Sequence, residues 1–234
     1  MEMTKNKAEF HCHTSNSFDC KVDLMSRLKG YIKLGFTYLA ITDHDKVLNG
    51  RDWSIIESQT EICIIPGIEV STLVGHVILL NCKLKPPINS LAFLVLWSYL
   101  WGCEIYIPHP CRPGTGVLFE YIPNKMPTRY ISWFFRRVKY IEAWNPRDVT
   151  RAKLPVDQKV FEAFANVIWT CASDSHFEDD IYENGCPLTG LNIGDQRIKN
   201  FLEKKIEVGN ISSSFNLRFF LRYIKSAIKY AINY

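Results

Sequence analysis

The sequence contains no CxxC pair and no group of cysteines at ligand spacing, which argues against a structural zinc site. Its eight cysteines, Cys12, Cys20, Cys63, Cys82, Cys103, Cys111, Cys171 and Cys186, are scattered. Cys63, Cys82 and Cys171 stand inside apolar runs, where free cysteine behaves as a small hydrophobe. A disulfide framework is therefore not expected. The opening stretch MEMTKNKAEF lacks the apolar core of a secretory leader. These absences predict a reduced, cytoplasmic protein. There is no low-complexity segment, linker or internal repeat, so the 234 residues read as a single domain, 1–234. A large charge excess is absent too. The formal net charge of +4 permits an anionic substrate without demanding nucleic acid.

Long hydrophobic runs are rare, although 47% of residues are hydrophobic and a sizeable core is available. The one long run, INSLAFLVLWSYLWGCEIYI from Ile88 to Ile107, contains Gly102 and Glu104 and leads into Pro108. It reads as a buried helix, a turn and a strand, with no membrane span.

Histidine is scarce, with six in all, yet two of them stand one residue apart in EFHCHT, Glu9 to Thr14. In a strand, residues i and i+2 point the same way, so His11 and His13 project together. Paired imidazoles suit a divalent transition metal, and the competing reading is two surface histidines.

β-rich apolar runs predict strands at Ala8–His13, Tyr38–Thr42, Ile62–Ile65, His76–Asn81, Glu104–Ile107, Tyr140–Trp144 and Val167–Ala172. Helical patterns fall at Val22–Leu34, Trp53–Gln59, Ser90–Trp101, Arg129–Arg137, Thr150–Ala165, Gln196–Lys205 and Phe215–Ile232, with Asp23 or Ser26 available to cap the first. Strand alternating with helix argues for parallel strands in an α/β architecture, and about seven such units predict a nearly closed barrel.

In such a barrel the chemistry gathers at the C-terminal ends of the strands. His11 and His13 end the first strand. Asp43 and His44 follow the second in YLAITDHD. Glu69 follows the third in IIPGIEVS, and His109 the fifth in IYIPHP. Glu142 and Asn145 lie in and after the sixth in IEAWN. Asp174 and His176 end the seventh in WTCASDSH. His76 begins GHVILL and must approach from another direction, as a turn leaning over the site. None of the six histidines is left for a helix. Clustered His, Asp and Glu favour a multinuclear site with nitrogen and oxygen ligands.

The ordered set EFHCHTSNSFD, ITDHD, PGIEVS, GH, HPCRPG, EAWNPR and SDSH, from Glu9 to His176, resembles the PHP family (polymerase and histidinol phosphatase domain) of metal-dependent phosphoesterases. The resemblance implies a distorted, TIM-like seven-stranded β/α barrel with a trinuclear centre of two to three divalent ions, manganese, iron or zinc. One ion would take His11, His13, Glu69 and Asp174. A second would share Glu69 and take His76 and His109, and a third would take Asp19, His44 and His176. Asp19 stands six residues after His13, one further than in many members. Glu9 replaces the usual Asp two residues before the first histidine, with a longer arm for orienting a ligand. The third histidine usual in this turn of the histidinol phosphatase branch is missing, which counts against that substrate.

The implied reaction is hydrolysis of a phosphate ester by a metal-bridging hydroxide. Arg112 in HPCRPG and Arg147 in WNPR follow strands on the metal side, and either guanidinium can grip a phosphate or form a loop salt bridge. Asn145 can bond the substrate or fix a turn. Asp43 is placed with the catalytic groups, as an outer partner beside His44. The motif spacing is closest to members acting on nucleotides, either phosphatases for nucleoside 3′,5′-bisphosphates or exonucleases on short oligonucleotides. Two alternatives stand beside this: a small-metabolite phosphomonoesterase, and a catalytically idle module that binds nucleic acid. The expected partner is a phosphorylated small molecule or short nucleic acid, with no obligate protein partner. Residues 213–234 form a basic amphipathic segment, read as a helix packed on the barrel, with membrane-surface or RNA binding as the alternative.

Overall fold

The structure is a computed structural model that describes residues 8–48, 56, 58–110, 112–117, 133–144 and 167–178. The helices expected at Thr150–Ala165, Gln196–Lys205 and Phe215–Ile232, and the basic segment 213–234, lie outside these residues. Those expected at Trp53–Gln59 and Arg129–Arg137 are described only in part.

The described elements are β1 (Ala8–Cys12), α1 (Leu24–Lys33), β2 (Tyr38–Ile41), β3 (Cys63–Thr72), β4 (Gly75–Leu80), α2 (Leu91–Trp101), β5 (Glu104–Ile107), β6 (Val138–Trp144) and β7 (Ile168–Cys171). The strands are hydrogen-bonded in chain order from β1 to β7 and form a curled, mixed α/β architecture. After β7 the chain returns to β1, with Cys12 bridging Ser175. There Asp174 N–H donates to His11 O at 3.0 Å and His13 N–H to Ser175 O at 3.2 Å.

Strand–helix alternation predicts parallel strands, but the sheet is mixed. β3 pairs antiparallel with β4, and β4 antiparallel with β5. The cause is a tight hairpin between β3 and β4, in which Thr72 faces Gly75 across Leu73 and Val74. The Thr72 hydroxyl donates to Gly75 O at 2.5 Å and accepts from Val74 N–H at 3.2 Å, so one side chain closes the turn.

β3 also runs past the expected stop at Ile65. Cys63–Pro66 pairs with β2, and Gly67–Thr72 pairs with β4. The strand thus changes partner at Pro66–Gly67, and Glu69 lies within it rather than after it. Glycine suits this corner because a Cβ on Gly67 would stand 3.0 Å from Thr42 Cγ2 and 3.1 Å from Ile41 O.

The helices begin and end by ordinary local chemistry. The Asp23 carboxylate accepts from Ser26 N–H at 3.0 Å and caps α1. Ser90 Oγ accepts from Phe93 N–H at 3.3 Å and caps α2, which Gly102 ends at a φ of 65°. The long apolar run is therefore α2, a glycine turn and β5, and no helix among the described residues is long and apolar enough to cross a membrane.

Three apolar clusters hold these elements. Phe10, Ala40, Ile65, Ile78, Leu80, Tyr106, Tyr140 and Ile168 form one beneath the strand ends. α1 packs Leu28 and Tyr31 against Leu39, Ile41 and Ile64. α2 packs Leu91, Leu94 and Val95 against Ile68, Val77, Leu79 and Ile105. Each fully buried aliphatic side chain contributes about 1.5–3 kcal/mol. Cys12, Cys20, Cys63, Cys82 and Cys103 are free thiols, as their scatter predicts.

Candidate metal centre

The strand ends deliver all six histidines to one place. Ring centroids are 5.1 Å apart for His11–His13, 4.2 Å for His13–His176, 4.8 Å for His13–His44, 4.9 Å for His44–His76 and 5.3 Å for His76–His109. His76 reaches this arc because the hairpin turns β4 back, so that its first residues stand beside the last residues of β3.

Glu69 lies at the centre of the arc. Its Oε2 is 3.2 Å from His11 Nε2, 3.2 Å from His13 Nε2 and 3.4 Å from His44 Nδ1. Its Oε1 is 2.8 Å from His76 Nδ1 and 3.0 Å from His109 Nε2. Asp174 Oδ1 is 3.3 Å from both His11 Nε2 and His13 Nε2, which are themselves 3.1 Å apart. On the far side, Asp19 Oδ2 is 2.8 Å from His176 Nε2 and 3.4 Å from His44 Nε2.

These separations fit a metal. A tetrahedral ion with bonds of about 2.1 Å holds its donor atoms about 3.4 Å apart. The four atoms His11 Nε2, His13 Nε2, Glu69 Oε2 and Asp174 Oδ1 approach that spacing along five edges, between 3.1 and 3.3 Å. Further groups able to hold an ion are His13, Asp19, His44 and His176, and His44, Glu69 and His76. His109 Nδ1 and His44 Nδ1 are buried without a hydrogen-bond partner among the described residues. The backbone at His109 and Asp174 is held at φ values of 26° and 50°, the strained left-handed region that recurs at functional sites.

Electrostatics follow from packing carboxylates and imidazoles together out of water. Burial opposes charge on Glu69, yet His11 and hydrogen bonds from His109, His11 and His13 hold it well below the usual carboxylate range. Burial likewise opposes charge on Asp174, and His11 and His13 hold it low. Burial works against protonated His13, but Asp174 and Glu69 raise it to about 9. A proton here does what a cation would do with more charge. His44 is pushed down by burial, which keeps it neutral and able to ligate.

A second ring of groups orients the first. Glu142 Oε1 accepts from His11 Nδ1 at 2.7 Å and from the Tyr106 hydroxyl at 2.9 Å, while Oε2 accepts from His109 N–H at 2.6 Å. Glu9 accepts from the N–H groups of His11 at 2.9 Å and Ser173 at 3.1 Å, so its longer arm holds backbone rather than a ligand side chain. Asp43 accepts from the N–H and hydroxyl of Thr14 at 2.6 and 2.8 Å and fixes the turn after His13. Arg112 Nη2 donates to Asp174 Oδ2 at 2.8 Å, the salt bridge of its two sequence readings. Asn145 and Arg147 lie outside the described residues.

Sequence reasoning placed Glu142 with the polar groups at the strand ends without assigning what it holds, and did not single out Arg27. Arg27 is fully buried and donates to the carbonyls of His13 at 2.8 Å, Ser175 at 3.2 Å and Phe177 at 3.0 Å. It ties the turn after β1 to the turn after β7. The available signal was a charge on the apolar face of α1, between Leu24, Leu28 and Tyr31.

No family model and no curated protein sequence matches the chain. Solved structures do match its fold. A Bifidobacterium adolescentis protein assigned as a metal-dependent phosphoesterase superposes with a TM-score of 0.56 at 11% identity, over 74% of this chain and 89% of that one. PsfC from Pseudomonas syringae gives 0.52 at 16%, over 77% and 80%. An amidohydrolase from Chromobacterium violaceum, solved with bound sulfate and no metal, gives 0.51 at 15%, over 73% and 87%. The chain shares the fold of these proteins.

Proposed function

We propose that the chain is a metal-dependent phosphoesterase of the PHP type, acting on nucleotides or short oligonucleotides, and that its curled sheet is the distorted seven-stranded barrel of that family. The carrying observation is the close set of His11, His13, Glu69 and Asp174, whose donor atoms stand 3.1–3.3 Å apart along five edges, with the second oxygen of Glu69 turned to His76 and His109. His11, His13, Glu69 and Asp174 would hold one ion, Glu69, His76 and His109 a second, and Asp19, His44 and His176 a third. Divalent cations held by these residues would supply an acidified water as nucleophile and neutralise charge on the phosphoryl oxygens.

The chain's own groups do the rest. Arg112 is bound at one nitrogen to Asp174, and its buried Nε has no hydrogen-bond partner among the described residues. A buried donor without a partner beside a cationic centre suits a phosphate oxygen. Arg147 and Asn145 are the further candidates for holding substrate. Asp43 acts through Thr14, keeping the turn between His13 and Asp19 in shape. The positive formal charge of +4 is compatible with an anionic ester.

Elemental analysis of the purified protein should find two to three equivalents of manganese, iron or zinc. The loaded protein should then be offered a chromogenic phosphate, a nucleoside 3′,5′-bisphosphate and a short RNA with a 5′-phosphate. Metal-dependent turnover favouring the last two is expected. Bound metal without turnover on any of them would assign the chain to the idle, nucleic-acid-binding class. Preference for the generic ester would assign it to small metabolites.

A further inference from the structure

Phe18 stands one residue before a carboxylate of the metal centre and is 83% exposed. Its ring is stacked on His44, with centroids 5.2 Å apart and planes inclined by 29°. One face of the phenyl thus rests on an imidazole of the centre while the ring remains open to solvent. The next residue, Asp19, has the most exposed side chain of the ligand set, at 30%, followed by His76 at 18%. The centre therefore opens to water on the side where Phe18 stands. The turn that carries it is rigid, because Ser17 N–H donates to Thr14 O at 2.9 Å and the Ser17 hydroxyl donates to Asp19 at 2.9 Å.

We infer that Phe18 is the stacking platform for an aromatic ring on the ester's alcohol portion, and that this ring is a nucleobase. The inference rests on the phosphoesterase reading and adds the feature that selects the substrate. An ester held with its phosphoryl group at the ions and its alcohol portion toward solvent must pass the mouth that Phe18 flanks. A planar base laid on the open face of Phe18 would extend the His44–Phe18 stack by one layer. A sugar phosphate without a base would leave that face in water. Base–aromatic stacking is tolerant of base identity, so the preference is for the presence of a ring rather than for one base.

The test compares adenosine 3′,5′-bisphosphate with ribose 3,5-bisphosphate, the same ester without the base, on metal-loaded wild type, Phe18→Ala and Phe18→Trp. Wild type should favour the nucleotide in kcat/KM. Phe18→Ala should lose about tenfold on the nucleotide, chiefly through KM, and little on ribose 3,5-bisphosphate. Phe18→Trp should retain the preference. Equal losses on both esters would mean that Phe18 merely supports Asp19 and His44, and would overturn the inference. So would a wild type that hydrolyses both esters equally well, although the phosphoesterase reading would then stand. If neither ester is hydrolysed and a short RNA with a 5′-phosphate is left intact as well, the phosphoesterase reading falls. Calorimetric binding of adenosine 3′,5′-bisphosphate then decides the platform separately: weaker binding by Phe18→Ala upholds it, and unchanged binding removes it.

Discussion

Glu142 holds His11 through a hydrogen bond of 2.7 Å between Oε1 and Nδ1, and both side chains are fully buried. That contact leaves Nε2 of His11 as the atom facing Glu69, His13 and Asp174. Such carboxylate–imidazole pairs fix the ring and raise its basicity as a ligand. Glu142→Gln keeps the shape but removes the charge, and a loss of about 10–100-fold in metal affinity is expected. Competition with a fluorescent chelator measures it. Affinity equal to wild type would show that Glu142 serves the Tyr106 hydroxyl and the His109 N–H rather than the ring of His11.

The His13 prediction concerns protons. Burial disfavours its charged form, yet Asp174 and Glu69 raise it from 6.5 to about 9. In the metal-free protein this raised value stabilises the fold below pH 6.5, and the contribution fades as pH climbs through about 9. A cation needs the ring deprotonated. Adding manganese or zinc near neutral pH should therefore release protons, and His13→Gln should release fewer. Titration in buffers of different ionisation enthalpy reads the number directly. Uptake with no proton release would place the cation elsewhere.

Much of the centre was legible because histidine is rare in this chain and each one falls beside a strand. The hairpin carrying His76 was not legible, since Leu73 and Val74 carry no glycine or asparagine turn signal and the turn is closed by Thr72. The corner in β3 was hidden for the opposite reason. Pro66–Gly67 reads locally as a stop, and only the approach of Thr42 and Ile41 shows why glycine continues the strand there. Arg27 escaped notice because it is one charge inside an apolar pattern, and Glu142 was placed at the sixth strand without its partners. Their partners lie far along the chain, with His13 and Phe177 around Arg27 and His11 and Tyr106 around Glu142.

Glu9 carries a separate pH dependence. Burial lifts its carboxyl from 4.5 to about 7, although the N–H groups of His11 and Ser173 oppose the rise. The folded state then holds a proton that the unfolded chain has lost. The resulting stabilisation is full below about pH 4.5 and disappears as pH rises through about 7. Glu9→Gln removes the titration but also one of the two acceptors, at a cost of about 1–3 kcal/mol. The variant should be less stable than wild type and flatter across that window. Urea midpoints of the metal-free proteins at several pH values test this. A slope in the variant equal to wild type would assign the titration to another group.

Gly116 couples the loop of Arg112 to the hairpin of His76. Its N–H donates to Arg112 O at 2.7 Å, and the preceding Thr115 O accepts from His76 N–H at 2.8 Å. A Cβ on Gly116 would stand 2.5 Å from Arg112 N and from Pro110 O, backbone atoms that cannot swing aside. Gly116→Ala must therefore open the turn, drawing Arg112 from Asp174 and Thr115 from His76. Gly114 offers the contrast. Its φ is 80°, but nothing lies within 4 Å of a Cβ there, so Gly114→Ala carries only backbone strain of about 1–2 kcal/mol. Both variants should melt earlier than wild type. Only Gly116→Ala should also bind metal more weakly, because only it displaces a ligand-bearing strand. Equal metal affinity in the two variants would mean that the loop and the hairpin move independently, and that Arg112 and His76 are placed by separate constraints.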